Sequence, residues 1–173
     1  MIFKRCLLAL VVMGLTFLFT STAYPARQSE IESLRGLTGV EVIVEHFDDK
    51  FKRELPFDEN QIKVDVELKL RMAGIKVFSR EESSAVSGNP YLYVILNGGF
   101  EPTTELFYYV IRIELCQDVI LKRQSASLAT GTWDTSYTGI TSKSIALRIR
   151  DTFKVPLDVF ISDYLSVNPK GGK

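Results

Sequence analysis

Few residues of this sequence could take part in catalysis, and the strongest candidate is its only histidine, His46. A Ser-His-Asp triad or a Cys-His pair would have to use this imidazole. A hydrolase would also need a serine on a strained, exposed turn, and no Gly-x-Ser-x-Gly sequence occurs. The pattern therefore favours a histidine that ends a strand and is satisfied by its neighbours, and we expect no catalytic residue.

Metal and cofactor sites have equally weak support. Asp48, Asp49, Asp58 and Glu59 could gather around calcium, but the alternating ligands and the turn glycine of an EF-hand loop are missing. Zinc generally needs several cysteine or histidine ligands, which the sequence does not offer. The glycines in NGG are followed by neither a lysine nor a helix start, so they do not form a phosphate-binding loop. We expect a solvated acidic loop, no metal and no cofactor.

The amino terminus has the pattern of a secretory signal peptide. Lys4 and Arg5 precede an apolar run over residues 6–19, and small residues follow at 21–23. The run is shorter than the roughly 20 residues that span a bilayer, so we expect cleavage after Ala23 and export to the periplasm or the medium. Retention of the segment as a membrane tether is the alternative.

Charge and cysteine content limit the partners of the mature chain. The full sequence has 21 basic and 21 acidic side chains, and loss of Lys4 and Arg5 leaves a net charge near −2. A nearly neutral chain lacks the electrostatic footprint of a protein that binds nucleic acid or anionic lipid. Cys116 would be the only remaining cysteine, which predicts either an inert packed thiol or a disulfide to another chain.

The stretch QIKVDVELKLRM fits two structures, and it determines the fold class. Its apolar residues alternate as in a strand, and some also recur every four residues as in a helix. Asp58 and Gln61 have the spacing of a capping box, and Gly74 follows as a helix-terminating glycine. We therefore predict a helix over residues 59–73, whose buried stripe is widened by Val64 and Leu68.

The other patterns predict a sheet around this helix. Gly131 interrupts the last strand and indicates a bulge or an edge. Pro156 falls within the closing helical pattern, so that segment is either one kinked helix or two helices end to end. We predict strands at 39–47, 75–79, 91–97, 106–121 and 126–137, a short helix at 80–86 and closing helices over 144–167.

The order of these elements defines the fold class. A helical crossover joins the first two strands and short turns join the later ones, so the sheet is mixed and mostly antiparallel. With helices on one face, the order β-α-β-β-β-β-α, with a short extra helix after the second strand, is an α+β two-layer sandwich. We expect a tether or frayed segment at 24–36, a single domain at 37–169 and a flexible tail at 170–173.

Six phrases of the sequence resemble a group of uncharacterised exported bacterial proteins that share a domain of unknown function. These phrases are GVEVIVE, DVELKLRMAGIKV, PYLYV, ELCQDVIL, ATGTW and FISDYLSVNP. The resemblance implies export and one domain, without a reaction. In element order the chain is also similar to the amino-terminal domain of the periplasmic protein TolB and to the domains of outer-membrane assembly lipoproteins, which are non-enzymatic binding modules.

The aromatic residues suggest a surface for a partner. If the helices cover one face of the sheet, the other face must meet water or another molecule. Aromatic residues are enriched at protein interfaces, although long side chains that only cover the sheet would give the same pattern. The possible interaction face consists of Tyr91, Tyr93, Tyr108, Val110 and Trp133.

Together these patterns predict a non-enzymatic exported envelope protein, a small interaction or assembly module that binds a protein partner through an open sheet face or edge. The alternative is a small-ligand-binding protein or an atypical hydrolase. Its pocket would lie near His46 and Trp133, between the closing helix and the sheet. We expect no nucleic-acid partner, and contact with a membrane only if the amino-terminal segment is retained.

Overall fold

The computed structural model describes residues 25–169, so the predicted signal peptide, its cleavage site and the tail at 170–173 lie outside the described residues. The sheet has four strands in the order β1-β2-β3-β4. The first pair is parallel and the other two pairs are antiparallel. The strands are β1 (Glu41–Val44), β2 (Tyr91–Glu101), β3 (Leu106–Ile120) and β4 (Ser127–Ser142).

The helices pack against one face of this sheet, and the apolar core lies between them. This arrangement confirms the predicted α+β class with a mixed, mostly antiparallel sheet. No helix within residues 25–169 is long and apolar enough to span a bilayer. The helices are α1 (Pro25–Glu32), α2 (Asp49–Lys52), α3 (Glu59–Met72), α4 (Arg80–Ser84), α5 (Leu147–Thr152) and α6 (Lys154–Val167), with a 3-10 turn at Lys143–Ile145 before α5.

The ends of α3 are those that the sequence predicts. The Asp58 carboxylate accepts a hydrogen bond from the Gln61 backbone over 2.9 Å, and the Gln61 side chain accepts one from the Asp58 backbone over 3.0 Å. Gly74 follows the helix with a φ of +79°, a conformation that glycine adopts without a steric penalty. The capping box therefore sets the start of α3 and the glycine allows its end.

The buried stripe of α3 is narrower than predicted. Ile62, Val66 and Leu70 are buried, whereas Val64 and Leu68 are more than half exposed. The expectation that Val64 and Leu68 widen the buried stripe is wrong. Because they are offset by two residues from the buried stripe, they lie on the opposite side of the helix.

The predicted strand over residues 75–79 is reduced to one parallel bridge between Val40 and Val77. Within residues 25–169 the sheet therefore has four strands rather than the five predicted. Ser79 caps α4 immediately afterwards and accepts a hydrogen bond from the Glu82 backbone, so the chain turns into a helix after this bridge. The crossover consequently joins β1 to β2 through α2, α3 and α4.

The closing segment consists of two helices end to end, one of the two predicted alternatives. The chain changes helix at Phe153 rather than at Pro156. Pro156 lies in the first turn of α6, where a missing N–H breaks no helical hydrogen bond. The buried side chains of Leu157, Phe160 and Tyr164 follow it and contact the core.

Residues 25–36 belong to the domain and are not a tether. Leu34 is fully buried in the core. Arg27 binds the Asp163 carboxylate over 2.6 Å, and the Ser33 hydroxyl donates to the Thr132 carbonyl over 3.2 Å. The domain therefore includes α1, which packs against α6 and β4.

Candidate functional site

The face of the sheet that points away from the helices, called the outer face below, is the predicted interaction surface. Strand alternation places the side chains of Leu92, Val94 and Leu96 in the core and their neighbours on the outer face. The register then defines cross-strand rows on that face. Its main members are Ile43, Tyr91, Tyr93, Ile95, Tyr108, Val110, Arg112, Glu114, Asp134 and Ile140.

An exposed apolar patch lies at one end of the outer face. Tyr108 and Ile140 are directly opposite each other on β3 and β4, and Val110 follows Tyr108 by two residues on the same face. Tyr108 is 57% exposed, Val110 39% and Ile140 72%. The Tyr108 ring lies against Gly99, its cross-strand partner on β2, where a Cβ would collide with it. The glycine thus lets the ring lie flat on the sheet over β2.

Charged side chains occupy the middle of the outer face. The Arg112 guanidinium lies 3.3 Å from the Asp134 carboxylate and 3.5 Å from that of Glu114. Arg112 and Asp134 are both close to half exposed, so water screens these pairs and they contribute little to stability. Their charges remain accessible to another molecule beside the apolar patch.

Tyr91, Tyr93 and Cys116 lie at the other end of the outer face and are more buried. The two tyrosine rings meet edge to face, with centroids 6.3 Å apart. Burial, the Cys116 thiol and the Glu114 charge together raise the pKa of Tyr91 to about 12. Burial also raises the pKa of Cys116, so its thiol stays protonated at neutral pH and is a poor nucleophile. The Cys116 thiol is free and buried, so a thiol of another chain could reach it only after the side chains around it move.

Trp133 does not belong to the outer face. Its side chain is 1% exposed and contacts Phe160 in the core, with ring centroids 5.2 Å apart. A β-bulge explains the difference: Leu115 pairs with Trp133, but Cys116 pairs with Gly131, which leaves Thr132 as the extra residue. Gly131 therefore lies on the outer face and Trp133 on the inner one. The bulge and the edge position predicted from Gly131 are both present.

His46 is an exposed residue with carboxylate neighbours. Its side chain is 71% exposed, with Nδ1 3.0 Å from Glu59 and Nε2 3.4 Å from Asp49. His46 follows β1 and Trp133 lies in β4, so they are at opposite edges of the sheet, roughly 14 Å apart at 4.8 Å per strand. The structure therefore does not bring them to one pocket.

The acidic residues near His46 have separate structural roles. Asp48 caps α2 by accepting hydrogen bonds from the backbones of Lys50 and Phe51, and Asp58 caps α3. Although burial alone would raise the pKa of Glu59, the Lys52 ammonium and the Phe47 N–H lower it to about 2. Across residues 25–169, no three His, Cys, Asp or Glu side chains are grouped to hold a metal ion.

A groove of about 620 Å³ lies elsewhere, between α3 and the closing helices. Leu68 and Met72 line it from α3, and Leu147 and Phe153 line it from the other side. The sequence prediction missed this groove because it placed Leu68 in the core. It also missed Ile140, because it ended the last strand at residue 137. The stretch TGITS at 138–142 has no clear apolar–polar alternation, so the sequence does not strongly indicate that the strand continues.

Comparison with models of protein families and with curated proteins finds no match to this sequence. The resemblance to exported bacterial proteins and to TolB-like domains therefore stays a prediction.

Proposed function

We propose that this protein is a non-enzymatic binding module of the bacterial cell envelope, exported after loss of residues 1–23, that takes a protein partner on its outer face. The observation that carries the proposal is the exposure of Tyr108, Val110 and Ile140 at neighbouring positions of the outer face. Protein interfaces typically have an apolar centre with aromatic and arginine side chains, surrounded by polar groups. The patch with Arg112 beside it has this composition.

The adjoining part of β4 supports the same proposal. β4 is the last strand of the sheet, so its outer edge has no strand partner within residues 25–169. The sequence TSYTGITS at 135–142 contains no charged residue and no proline, the residues that usually protect an edge. A partner that covers Ile140 would therefore also meet backbone groups to which an extended segment can hydrogen-bond.

Photo-crosslinking in bacteria tests the proposal. A photoreactive phenylalanine analogue at position 140 is expected to give a defined adduct with one envelope protein, identified by mass spectrometry. Ile120 is the matched control, because it is also an isoleucine that is 72% exposed, and it lies at the far end of β3. The same adducts at positions 140 and 120, or none at position 140, would contradict a specific partner at the patch of Tyr108, Val110 and Ile140.

Charge substitution gives a second measurement. Ile140→Glu places a carboxylate in the apolar patch and is expected to abolish the adduct captured from position 108, while Ile120→Glu leaves it unchanged. Both positions are exposed, so neither variant should change the free energy of unfolding by more than about 0.5 kcal/mol. A full adduct yield in the Ile140→Glu variant would contradict the proposed site.

A further inference from the structure

The outer edge of β4 is covered at one end and open at the other. Arg27 donates to the Asp134 carbonyl over 2.8 Å, and Ser33 donates to the Thr132 carbonyl over 3.2 Å, so α1 covers this end. The stretch at residues 136–142, called the open edge below, contains no charged residue and no proline. It therefore lacks the side chains that usually keep a strand edge from pairing with another chain.

The hydrogen bonds between β4 and β3 show which backbone groups of the open edge point outward. The Lys143 N–H donates to the Glu105 carbonyl over 2.9 Å, so these two residues form a hydrogen-bonded pair. Such pairs alternate with non-hydrogen-bonded pairs along antiparallel strands, so Thr141, Gly139 and Tyr137 also bond to β3. The residues between them direct their N–H and C=O groups away from β3, where residues 25–169 supply no strand partner. These outward residues are Ser136, Thr138, Ile140 and Ser142.

The opposite edge of the sheet does not offer a comparable stretch. β1 has four residues, and the outward groups of Val40 just before it are already bonded. The Val40 N–H donates to Lys76 over 3.0 Å, and its carbonyl accepts from Phe78 over 2.9 Å. Pairing of β4 with β1 of another copy would also repeat from copy to copy, whereas two β4 strands related by a two-fold axis form a closed pair. The edges therefore favour β4 against β4.

We infer that the partner at the patch of Tyr108, Val110 and Ile140 is a second copy of this chain, paired through antiparallel β4 strands about a two-fold axis at Ile140. The inference rests on the proposed function, because it assigns the partner of the same patch. Ile140 then lies opposite Ile140 of the second copy, and Thr138 lies opposite Ser142 of the second copy. All of these residues have outward backbone groups, so each pair makes two hydrogen bonds. Directly opposite residues share a face, so both helical layers lie on the same side.

The side chains of the open edge select this register. Among the residues with outward backbone groups, Ile140 is the only one with an apolar side chain. It is 72% exposed and has Tyr108 beside it on β3. The axis at Ile140 gives it an isoleucine on its open side as well, so one row contains Tyr108 and Ile140 of both copies. A register shifted by two residues would place Ile140 opposite Thr138 or Ser142, beside a polar side chain.

The charges next to the open edge do not oppose this pairing. Asp134 lies before it, with its carboxylate 3.3 Å from Arg112. Lys143 lies after it, with its ammonium 2.7 Å from Glu54. The paired residues 138–142 carry no charge, so like charges do not meet across the ladder. The ladder is short and buries less than the roughly 800 Å² per partner of standard interfaces, so we expect a weak dimer.

Photo-crosslinking from position 140 separates this inference from the proposed function. An adduct with the mass of two copies of this chain is expected. An adduct that contains only a different protein would overturn the inference and leave the proposed function standing. The absence of any adduct would contradict both.

Sedimentation velocity of the purified chain over a range of concentrations tests the backbone pairing. The parent is expected to shift from monomer to dimer as its concentration rises. Thr138→Pro removes an outward N–H from the paired stretch and no bond to β3, so it is expected to dimerise at least tenfold more weakly. Ala129→Pro is the matched control. Ala129 lies opposite Asp118, whose N–H donates to Gly88, so its own N–H also points outward but outside the paired stretch.

Ala129→Pro should dimerise as the parent does, and thermal melts of both proline variants check that they fold. A parent chain that is monomeric at all concentrations would overturn the inference. Dimerisation of Thr138→Pro equal to that of the parent would do the same.

Charge variants at the axis test the partner without a change in the backbone. Ile140→Glu and Ile140→Lys each place like charges directly opposite each other, so each alone is expected to dimerise at least tenfold more weakly than the parent. An equimolar mixture places opposite charges at the axis and should dimerise at least tenfold more strongly than either variant. Ile120→Glu and Ile120→Lys are the controls at an equally exposed isoleucine and should dimerise as the parent does. A mixture no stronger than the separate variants would overturn the position of the axis.

Cysteine pairing tests the register. Ile140→Cys is expected to form a disulfide-linked dimer under mild oxidation, because Cα atoms of a hydrogen-bonded pair lie about 5.5 Å apart, within the range of disulfides. Thr138→Cys should link poorly to itself and well to Ser142→Cys in a mixture. The parent chain is the control for its own cysteines. Efficient linking of Thr138→Cys to Ile140→Cys would indicate the shifted register and overturn the axis at Ile140.

Discussion

Trp133 donates its indole N–H to Oδ2 of Asp163 over 3.0 Å. The same carboxylate oxygen accepts a hydrogen bond from Arg27 over 2.6 Å, and the Arg27 guanidinium lies 5.1 Å from the centre of the Trp133 ring. One carboxylate therefore joins β4, α6 and α1 at the edge of the core.

Removal of this carboxylate is expected to destabilise the domain. Asp163→Ala leaves the buried indole N–H without an acceptor and removes the closest carboxylate from Arg27, which should lower the free energy of unfolding by about 1–3 kcal/mol. Trp133 is the only tryptophan, so its fluorescence reports unfolding in urea. Asp151→Ala removes a well-exposed carboxylate and should have less than about 0.5 kcal/mol effect. Equal urea midpoints for the two variants would contradict this role.

The burial of Leu34 predicts that the segment before β1 is required for stability. Leu34→Ala should lower the free energy of unfolding by about 2–5 kcal/mol, because it removes a fully buried side chain and leaves a cavity. Leu128→Ala, at a 40% exposed leucine, is the control and should cost less. Urea unfolding measures both. Unchanged stability in Leu34→Ala would indicate that residues 25–36 are a tether after all.

The low pKa of Glu59 predicts a loss of stability in acid. Its folded-state pKa of about 2 lies below the unfolded value near 4.3, so its contribution is present above pH 5 and is lost as the pH falls towards 2. The full contribution is about 3 kcal/mol at neutral pH. Glu59→Gln should therefore be less stable than the parent at pH 7 and nearly equal to it at pH 2.

Thermal melts across this pH range provide the measurement, with Asp49→Asn as the control. Asp49 is largely exposed and should show little difference from the parent at any pH. If the difference in melting temperature between Glu59→Gln and the parent stayed the same from pH 7 to pH 2, protonation of Glu59 would not be the cause of the acid destabilisation.

The predicted signal peptide is testable by mass spectrometry of the protein purified from bacteria. Cleavage after Ala23 gives a chain that begins at Tyr24, one residue before α1. An intact chain in the membrane fraction would support the tether instead.

The sequence predicts the elements better than it predicts their faces. The helix at 59–72 follows from its ends, because Asp58 and Gln61 satisfy backbone groups that only a helix leaves open. The sequence does not show which side of this helix is buried. Val64, Leu68 and Met72 are as apolar as the buried residues Ile62, Val66 and Leu70. Only the packing of α3 on the sheet distinguishes the two stripes.

The predicted interaction face was also only partly predictable from the sequence. Tyr108 and Val110 lie on the outer face because β3 alternates without interruption as far as Leu115. Trp133 lies on the inner face, because the extra residue Thr132 reverses the alternation of β4. Gly131 indicates a bulge or an edge but does not show which residue is the extra one. The predicted strand ended at residue 137, before Ile140, because the residues that follow have a weak strand pattern. In the structure, pairing with β3 extends β4 to Ser142.

The contacts of α1 with β4 have a consequence for aggregation. Arg27 and Ser33 bind the carbonyls of Asp134 and Thr132, so this part of the edge is shielded, while the uncharged stretch beyond it has no strand partner within residues 25–169. Proteolysis on the carboxyl side of Ser33 would strip that shield and lengthen the open template. An open strand edge is a template for pairing with another chain, so loss of α1 is expected to increase the tendency of this protein to aggregate.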